Sequence, residues 1–211
     1  MTTFRRFALM TFAAPLALGL AACGDSAPAD GEVAESAAIA AIPAPAGQSW
    51  AETTTISDYD GYVLGNPNAP VKLVEYVSHT CGHCADFSGQ SAEALRDKYI
   101  ASGVVSYEIR NQIHDPYDLV MARLARCGEK ESFHPRAEQA WANLNTIIEG
   151  AQSNPAALEA AMKLPENQRF VAFGEASGII DFFAARGLSR DQARMCLADN
   201  VSVQGIAERS T

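Results

Sequence analysis

An apolar strand that runs straight into two closely spaced cysteines constrains this chain more than any other stretch: Val71-Lys-Leu-Val-Glu-Tyr-Val77, then Ser78-His-Thr-Cys81-Gly-His-Cys84. Alternation puts Val71, Leu73, Glu75 and Val77 on one face and Lys72, Val74 and Tyr76 on the other. Both faces are largely apolar, which predicts a central strand. Beyond Cys84, Phe87, Ser91, Leu95 and Tyr99 recur at helical spacing until Gly103, and Val104 to Ile109 reads as another strand. Strand, helix and strand in that order make a βαβ unit with a parallel pair, so the class is α/β and the cysteines fall at the first turn of the helix.

The flanks read differently. Tyr62 to Leu64 is a short strand candidate, and the turn formers of Gly65 to Pro70 reverse the chain into the main strand. From about 115 to 200 only helical spacing is found: Val120, Leu124 and Cys127; Ala137, Trp141, Leu144 and Ile148; Leu158, Ala161 and Met162. Asn154-Pro155 reads as a cap and first helical residue, Gly187 as a stop, and Ser189 to Gln192 as a capping box. The aromatic and aliphatic side chains of this region, Trp141 and those from Phe170 to Phe183 included, read as core.

A thiol that exchanges disulfides must be partly thiolate, and a helix N-terminus offers the anion free amide donors and a positive partial charge. Cys81 stands where it receives them. Cys84, one turn further on, is the more buried thiol, so the pair reads as nucleophile and resolver, with His83 between them favouring the Cys81 thiolate. Glu75 lies on an apolar strand face six residues before Cys81. There desolvation raises its pKa and suits it to exchange a proton with Cys84, unless it merely pairs with Lys72 or a helix amide.

The first 22 residues carry Arg5 and Arg6, then an uncharged run from Phe7 to Ala22 that is short and rich in alanine. This is the pattern of an export signal rather than a membrane span. Its end, Leu20-Ala-Ala-Cys23, resembles the lipobox of bacterial lipoproteins, which makes Cys23 the expected lipid-attachment site and the bacterial envelope, on the periplasmic side, the expected location. Residues 23–55, poor in aromatic side chains and rich in Ala, Pro and Gly, read as a flexible tether, and 56–211 as the folded domain. Export places Cys127 and Cys196 in an oxidising compartment. They are either two buried thiols or a structural disulfide, and that compartment favours the disulfide.

Other chemistries find less support. A zinc site would need His79 and His83 beside the cysteines, but a histidine inside a first helical turn points poorly for tetrahedral closure. Covalent haem attachment needs a histidine directly after the second cysteine, where this chain has Ala85. His114 and His134 are given no catalytic role. A net charge of −9 makes nucleic acid and anionic headgroups poor partners.

The stretch Leu64-Gly-Asn-Pro-Asn-Ala-Pro-Val-Lys-Leu-Val-Glu-Tyr-Val-Ser-His-Thr-Cys-Gly-His-Cys84 resembles the start of DsbA-like thiol:disulfide oxidoreductases of the thioredoxin superfamily. The similarity runs over roughly residues 57 to 211. It implies a thioredoxin-like βαβ core with a helical insertion, a redox disulfide between Cys81 and Cys84, the dipeptide Gly82-His83, and Glu75 as buried acid. Most DsbA proteins have Pro-His between the cysteines, and Gly-His is similar to disulfide isomerases. The resemblance also implies a cis-proline loop, two further strands and a final helix. No proline follows Pro165 and nothing from Ala198 onward has strand character, so these elements are expected to be missing and the chain shortened at its C-terminus. Val71 to Val77 would then expose an unpaired apolar edge.

The expected function is therefore an exported, lipid-anchored oxidase of protein thiols, recharged by a redox partner and needing no metal or organic cofactor. The alternative is a membrane-tethered, chaperone-like binding module whose cysteines are inert or structural.

Overall fold

The βαβ unit read from the sequence is the scaffold on which the rest is arranged. In the computed structural model, which describes residues 39–210, strand β3 (Val71–Val77) leads into helix α1 (Gly82–Ala94) and the chain returns along β4 (Val105–Asn111). The two strands pair in parallel from Val71↔Val105 to Val77↔Asn111. Helix α1 runs on into a π-helical turn, Leu95–Ile100, before Gly103 reverses the chain.

Two shorter strands complete the sheet: β1 (Thr54–Ile56) and β2 (Tyr62–Gly65). Its order is β1-β2-β4-β3, with β1 antiparallel to β2 and β2 antiparallel to β4. The central-strand expectation for Val71 to Val77 is corrected here, because among the described residues β2 and β4 are the inner strands and β3 lies at an edge. The apolar content of β3 is real, but Val71, Leu73, Val74 and Tyr76 remain exposed, as the free-edge expectation had it. Periodicity reports that a strand is apolar and does not report how many neighbours it has.

The helical region consists of α2 (Pro116–Ala125), α3 (Phe133–Ala142), α4 (Leu144–Ala151), α5 (Pro155–Met162), α6 (Glu166–Ala176), α7 (Ile179–Ala184), α8 (Arg190–Ala198) and α9 (Asn200–Glu208). Local chemistry starts several of these helices. Asp115 accepts from the Asp118 N–H ahead of Pro116, Asn154 accepts from the Ala157 N–H ahead of Pro155, and Ser189 and Gln192 form a reciprocal capping box. Helix α2 is buried nearly all round, with Val120, Met121, Ala122, Leu124 and Ala125 fully covered. It joins Phe133, Trp141, Phe173, Ile179, Ile180, Phe183 and Leu197 in a core continuous with Val77, Tyr107 and Ile109 of the sheet. Each large side chain covered in this way contributes roughly 1.5–3 kcal/mol.

Cys127 and Cys196 are joined in a disulfide that ties the end of α2 to α8, with Cα atoms 6.0 Å apart and the two residues separated by 69 positions in sequence. A loop of that length adds on the order of 4 kcal/mol if the link acts by restricting the unfolded chain.

The tether expectation for 23–55 needs correction over its second half. The described residues, from Ile39 onward, form one compact unit, and Ile42 and Trp50 hold its beginning in place. The Ile42 N–H donates to the Ser102 carbonyl at 2.8 Å, and the Trp50 indole N–H donates to the Ile42 carbonyl at 2.8 Å. Gly103, at φ +74°, lies so close beneath them that a Cβ there would collide with the Ile42 carbonyl and the Trp50 ring. A composition average over this stretch conceals the Trp50 ring and the Ile42 backbone that dock it. The export signal, Cys23 and the first part of the tether fall outside the described residues.

Candidate active site

Cys81 is the residue just before α1, with extended backbone at φ −86° and ψ 118°, so the free amides of the first turn surround its sulfur. Its thiol is held below the ordinary cysteine value, first by the Cys84 backbone N–H, then by the Cys84 thiol and the His83 backbone N–H. Partial burial and the Asp118 carboxylate oppose this. His83 thus acts on Cys81 through its amide, while its side chain stands exposed.

Cys84, one turn on, is packed against the core. Burial pushes its thiol up to about 11, with Cys81 and Glu75 adding to the rise and a backbone hydrogen bond at Ser78 opposing it. The two sulfurs are therefore divided into one that ionises readily and one that keeps its proton, which is the asymmetry a nucleophile and a resolver require.

Glu75 is half-buried on β3, on the same face as Tyr107 of β4, one diagonal step away in the register. The Tyr107 hydroxyl donates to Glu75 Oε2. Burial raises the Glu75 carboxyl and this hydrogen bond partly lowers it, leaving it above the ordinary carboxylate range. Glu75 thus pairs with neither Lys72 nor a helix amide.

The loop joining β3 to α1 is fastened from three sides. The His79 N–H donates to Asp118 Oδ1 at 2.7 Å, and the Thr80 hydroxyl to Asp115 Oδ2 at 3.0 Å, both acceptors lying at the start of α2. From α3, the Trp141 indole N–H reaches the Ser78 carbonyl at 3.1 Å, and its ring stacks on the His79 ring with centroids 5.2 Å apart. Asp118 is fully buried, and burial pushes its carboxyl up. The hydrogen bonds from His79 and Ser78 and the nearby imidazole outweigh this and hold it below the usual carboxylate range.

His79, weighed in the sequence as a zinc ligand, is fully buried with other partners. Its Nδ1 lies 3.3 Å from Asn111 Nδ2 and 3.7 Å from Asp118 Oδ1. Arg126 Nε, which can only donate, faces Asn111 Oδ1 at 2.8 Å, so the Asn111 amino group is the one turned to His79. His134 also faces inward, with Nε2 3.1 Å from the Tyr62 carbonyl and burial lowering its ring to about 4.

The structure brings Cys81, Cys84, His83 and Glu75 to one end of β3 and places Cys127 and Cys196 away from it as a second, disulfide-bonded pair. Sequence reasoning did not find Tyr107, Asp118 or a holding role for Trp141. Each reaches the site across a long stretch of chain, and no motif marks such a residue. The one available signal was Asp118 in the first turn of a helix opened by Asp115-Pro116.

A family model described as Thioredoxin matches residues 57–206. Among curated proteins, a putative protein-disulfide oxidoreductase of Rickettsia typhi is 43% identical over 77 residues, which is 36% of this chain and 28% of the relative. Its counterpart in Rickettsia conorii is 40% identical over 90 residues, 42% of this chain and 32% of the relative. In both cases the chain spans less than a third of the relative's length. Among solved structures, a protein-disulfide isomerase from Novosphingobium aromaticivorans superposes with a TM-score of 0.64 at 28% identity, over 70% of this chain and 76% of that one. The alpha-DsbA1 protein of Wolbachia pipientis shares the fold, with a TM-score of 0.55 at 20% identity over 77% of this chain and 71% of that one.

Proposed function

This chain belongs to the thioredoxin family, with the α/β architecture of DsbA-like structures, and from that premise we propose that it exchanges a Cys81–Cys84 disulfide with thiols of other proteins, acting as an oxidase. The observation that carries the reading is the division between the two sulfurs, Cys81 lowered at a helix N-terminus and Cys84 raised by burial.

In the oxidising direction a substrate thiolate attacks Cys81 Sγ, the Cys81–Cys84 bond breaks, and Cys84 leaves as a thiolate that takes the proton held by Glu75. A second substrate thiolate then attacks the substrate sulfur of the mixed disulfide. It forms the substrate disulfide and releases Cys81 as a stabilised thiolate. Two electrons pass from substrate to enzyme, and a redox partner carries them away to restore the disulfide. The lowered pKa of Cys81 favours its release from the mixed disulfide, because a more acidic thiol is a better leaving group. None of these steps calls for a metal or an organic cofactor.

Export and lipid anchoring belong to the same proposal. They rest on Arg5, Arg6, the uncharged run that follows and the lipobox-like end at Cys23, and they place the enzyme on the periplasmic side of a bacterial membrane, where oxidised cysteines persist.

The test is oxidation of a reduced two-cysteine peptide by the disulfide form of the protein. Wild type should convert the peptide stoichiometrically and Cys81→Ser should not. Equal activity in Cys81→Ser would overturn the role given to Cys81, and a wild type that leaves the peptide reduced would favour the binding-module alternative.

A further inference from the structure

Glu75 and Tyr107 form a pair whose partner position, one diagonal step across the β3–β4 ladder, is set by the register of the sheet. Tyr107 is 9% exposed, and its hydroxyl is bonded to Glu75 Oε2. Cys84 packs against the cluster of buried side chains to which Tyr107 belongs, and the charge of Glu75 acts on both Cys84 and Tyr107. The carboxyl whose charge reaches the second cysteine is thus held by a neutral phenol.

We infer that Tyr107 is a positioning residue for the exchange at Cys84, its hydroxyl holding Glu75 as the group that trades a proton with that sulfur. The inference rests on the thiol-disulfide reading above and deepens it. A cation in the place of Tyr107 would favour the charged carboxylate and lower Glu75. An aliphatic side chain there would leave the carboxyl without a partner and raise it further. A phenol sits between these limits, because it donates one hydrogen bond without adding charge. Burial and the neighbouring carboxylate push the Tyr107 hydroxyl far above its ordinary value, so it stays protonated across the working pH range and serves as a fixed donor.

Two other ionisable groups act on this cluster, Cys81 on Cys84 and Glu138 on Tyr107. Arg96, from the turn that continues α1, is paired with Glu138 of α3 at 2.7 Å, and His134 of α3, its ring 5.6 Å from that of Tyr107, is neutral above about 4. Lys72 and Arg110 act on the carboxylate of Glu108 rather than on Glu75.

The experiment is the pH profile of peptide oxidation by wild type, Glu75→Gln, Tyr107→Phe and the double variant. Removing the hydroxyl takes away the hydrogen bond that lowers Glu75, so the inflection due to Glu75 should move to higher pH by roughly 1 unit in Tyr107→Phe. In the double variant that inflection should be absent, and the rates should match Glu75→Gln alone. A Tyr107→Phe profile superposable on wild type, or rate losses that simply multiply in the double variant, would overturn the inference. Should Tyr107→Phe not fold, 3-fluorotyrosine at the same position, a stronger donor, should move the inflection to lower pH, and an unmoved inflection there overturns it equally. Wild type that fails to oxidise the peptide at any pH would instead strike down the oxidoreductase reading beneath it.

Discussion

The backbone N–H of His79 donates to Oδ1 of Asp118 across 2.7 Å, although 39 residues separate them in sequence. That bond joins the loop leading to Cys81 to the first turn of the helical region, so the helices hold this loop as well as covering the sheet.

Asp118→Asn should therefore show two separable effects. The new amide presents one acceptor in place of two, leaving either the His79 or the His114 N–H without a partner and costing about 1–3 kcal/mol, read as a lower urea midpoint. Loss of the carboxylate also removes a charge that raises Cys81, so the alkylation inflection of Cys81 should move to lower pH. The stability due to Asp118 is fully present above its unfolded pKa of about 3.9 and is lost as pH falls through its depressed native value. Wild type and variant should thus converge in stability only in strong acid.

His134 predicts a second pH dependence at higher pH. Its ring is lowered to about 4 by burial, whereas the unfolded chain takes up the proton near about 6.5, so between those values the unfolded state binds more protons. Stability should fall as pH drops from about 6.5 to about 4, by on the order of 3 kcal/mol at most. His134→Asn should flatten that slope in urea unfolding followed across the range.

The part of the fold legible in the sequence was the part encoded locally. Alternation in Val71 to Val77, the helical spacing from Phe87 to Tyr99 and the caps at Asn154 and Ser189 all appear in the structure as helix and strand. The placement of β3 at the edge was not legible from alternation, because apolar residues on both faces say nothing of how many strands pair beside them. The docking of Ile42 and Trp50 was hidden for another reason. Two anchoring residues in a stretch of Ala, Pro and Gly do not alter its average, yet two hydrogen bonds and a glycine cleared of its Cβ suffice to seat it. At the site, Cys81, Cys84 and Glu75 came from spacing on one strand and one helix. Tyr107, Asp118 and Trp141 arrive through tertiary contacts that no spacing reports.

Gly103→Ala tests that docking. The substitution meets both a left-handed backbone and the Ile42 and Trp50 atoms, so it should destabilise the protein by about 1–3 kcal/mol. Residues 39–50 should also become the first site of limited proteolysis, while cleavage unchanged from wild type would mean that the segment is held elsewhere.

The Cys127–Cys196 disulfide should matter for stability and little for chemistry. Replacing both by Ala should cost about 2–5 kcal/mol, and the alkylation rate of Cys81 below the unfolding transition should stay as in wild type.

The central claim, that Cys81 is the attacking thiol, is tested most directly by trapping. Reduced Cys84→Ser protein, mixed at pH 6 with a peptide disulfide, lacks the thiol that would resolve the intermediate, so its mixed disulfide should accumulate. The account predicts a single adduct, mapped by peptide mass to Cys81, forming many times faster than with a free cysteine at the same pH. No adduct, or one formed at the rate of an ordinary thiol, would contradict it.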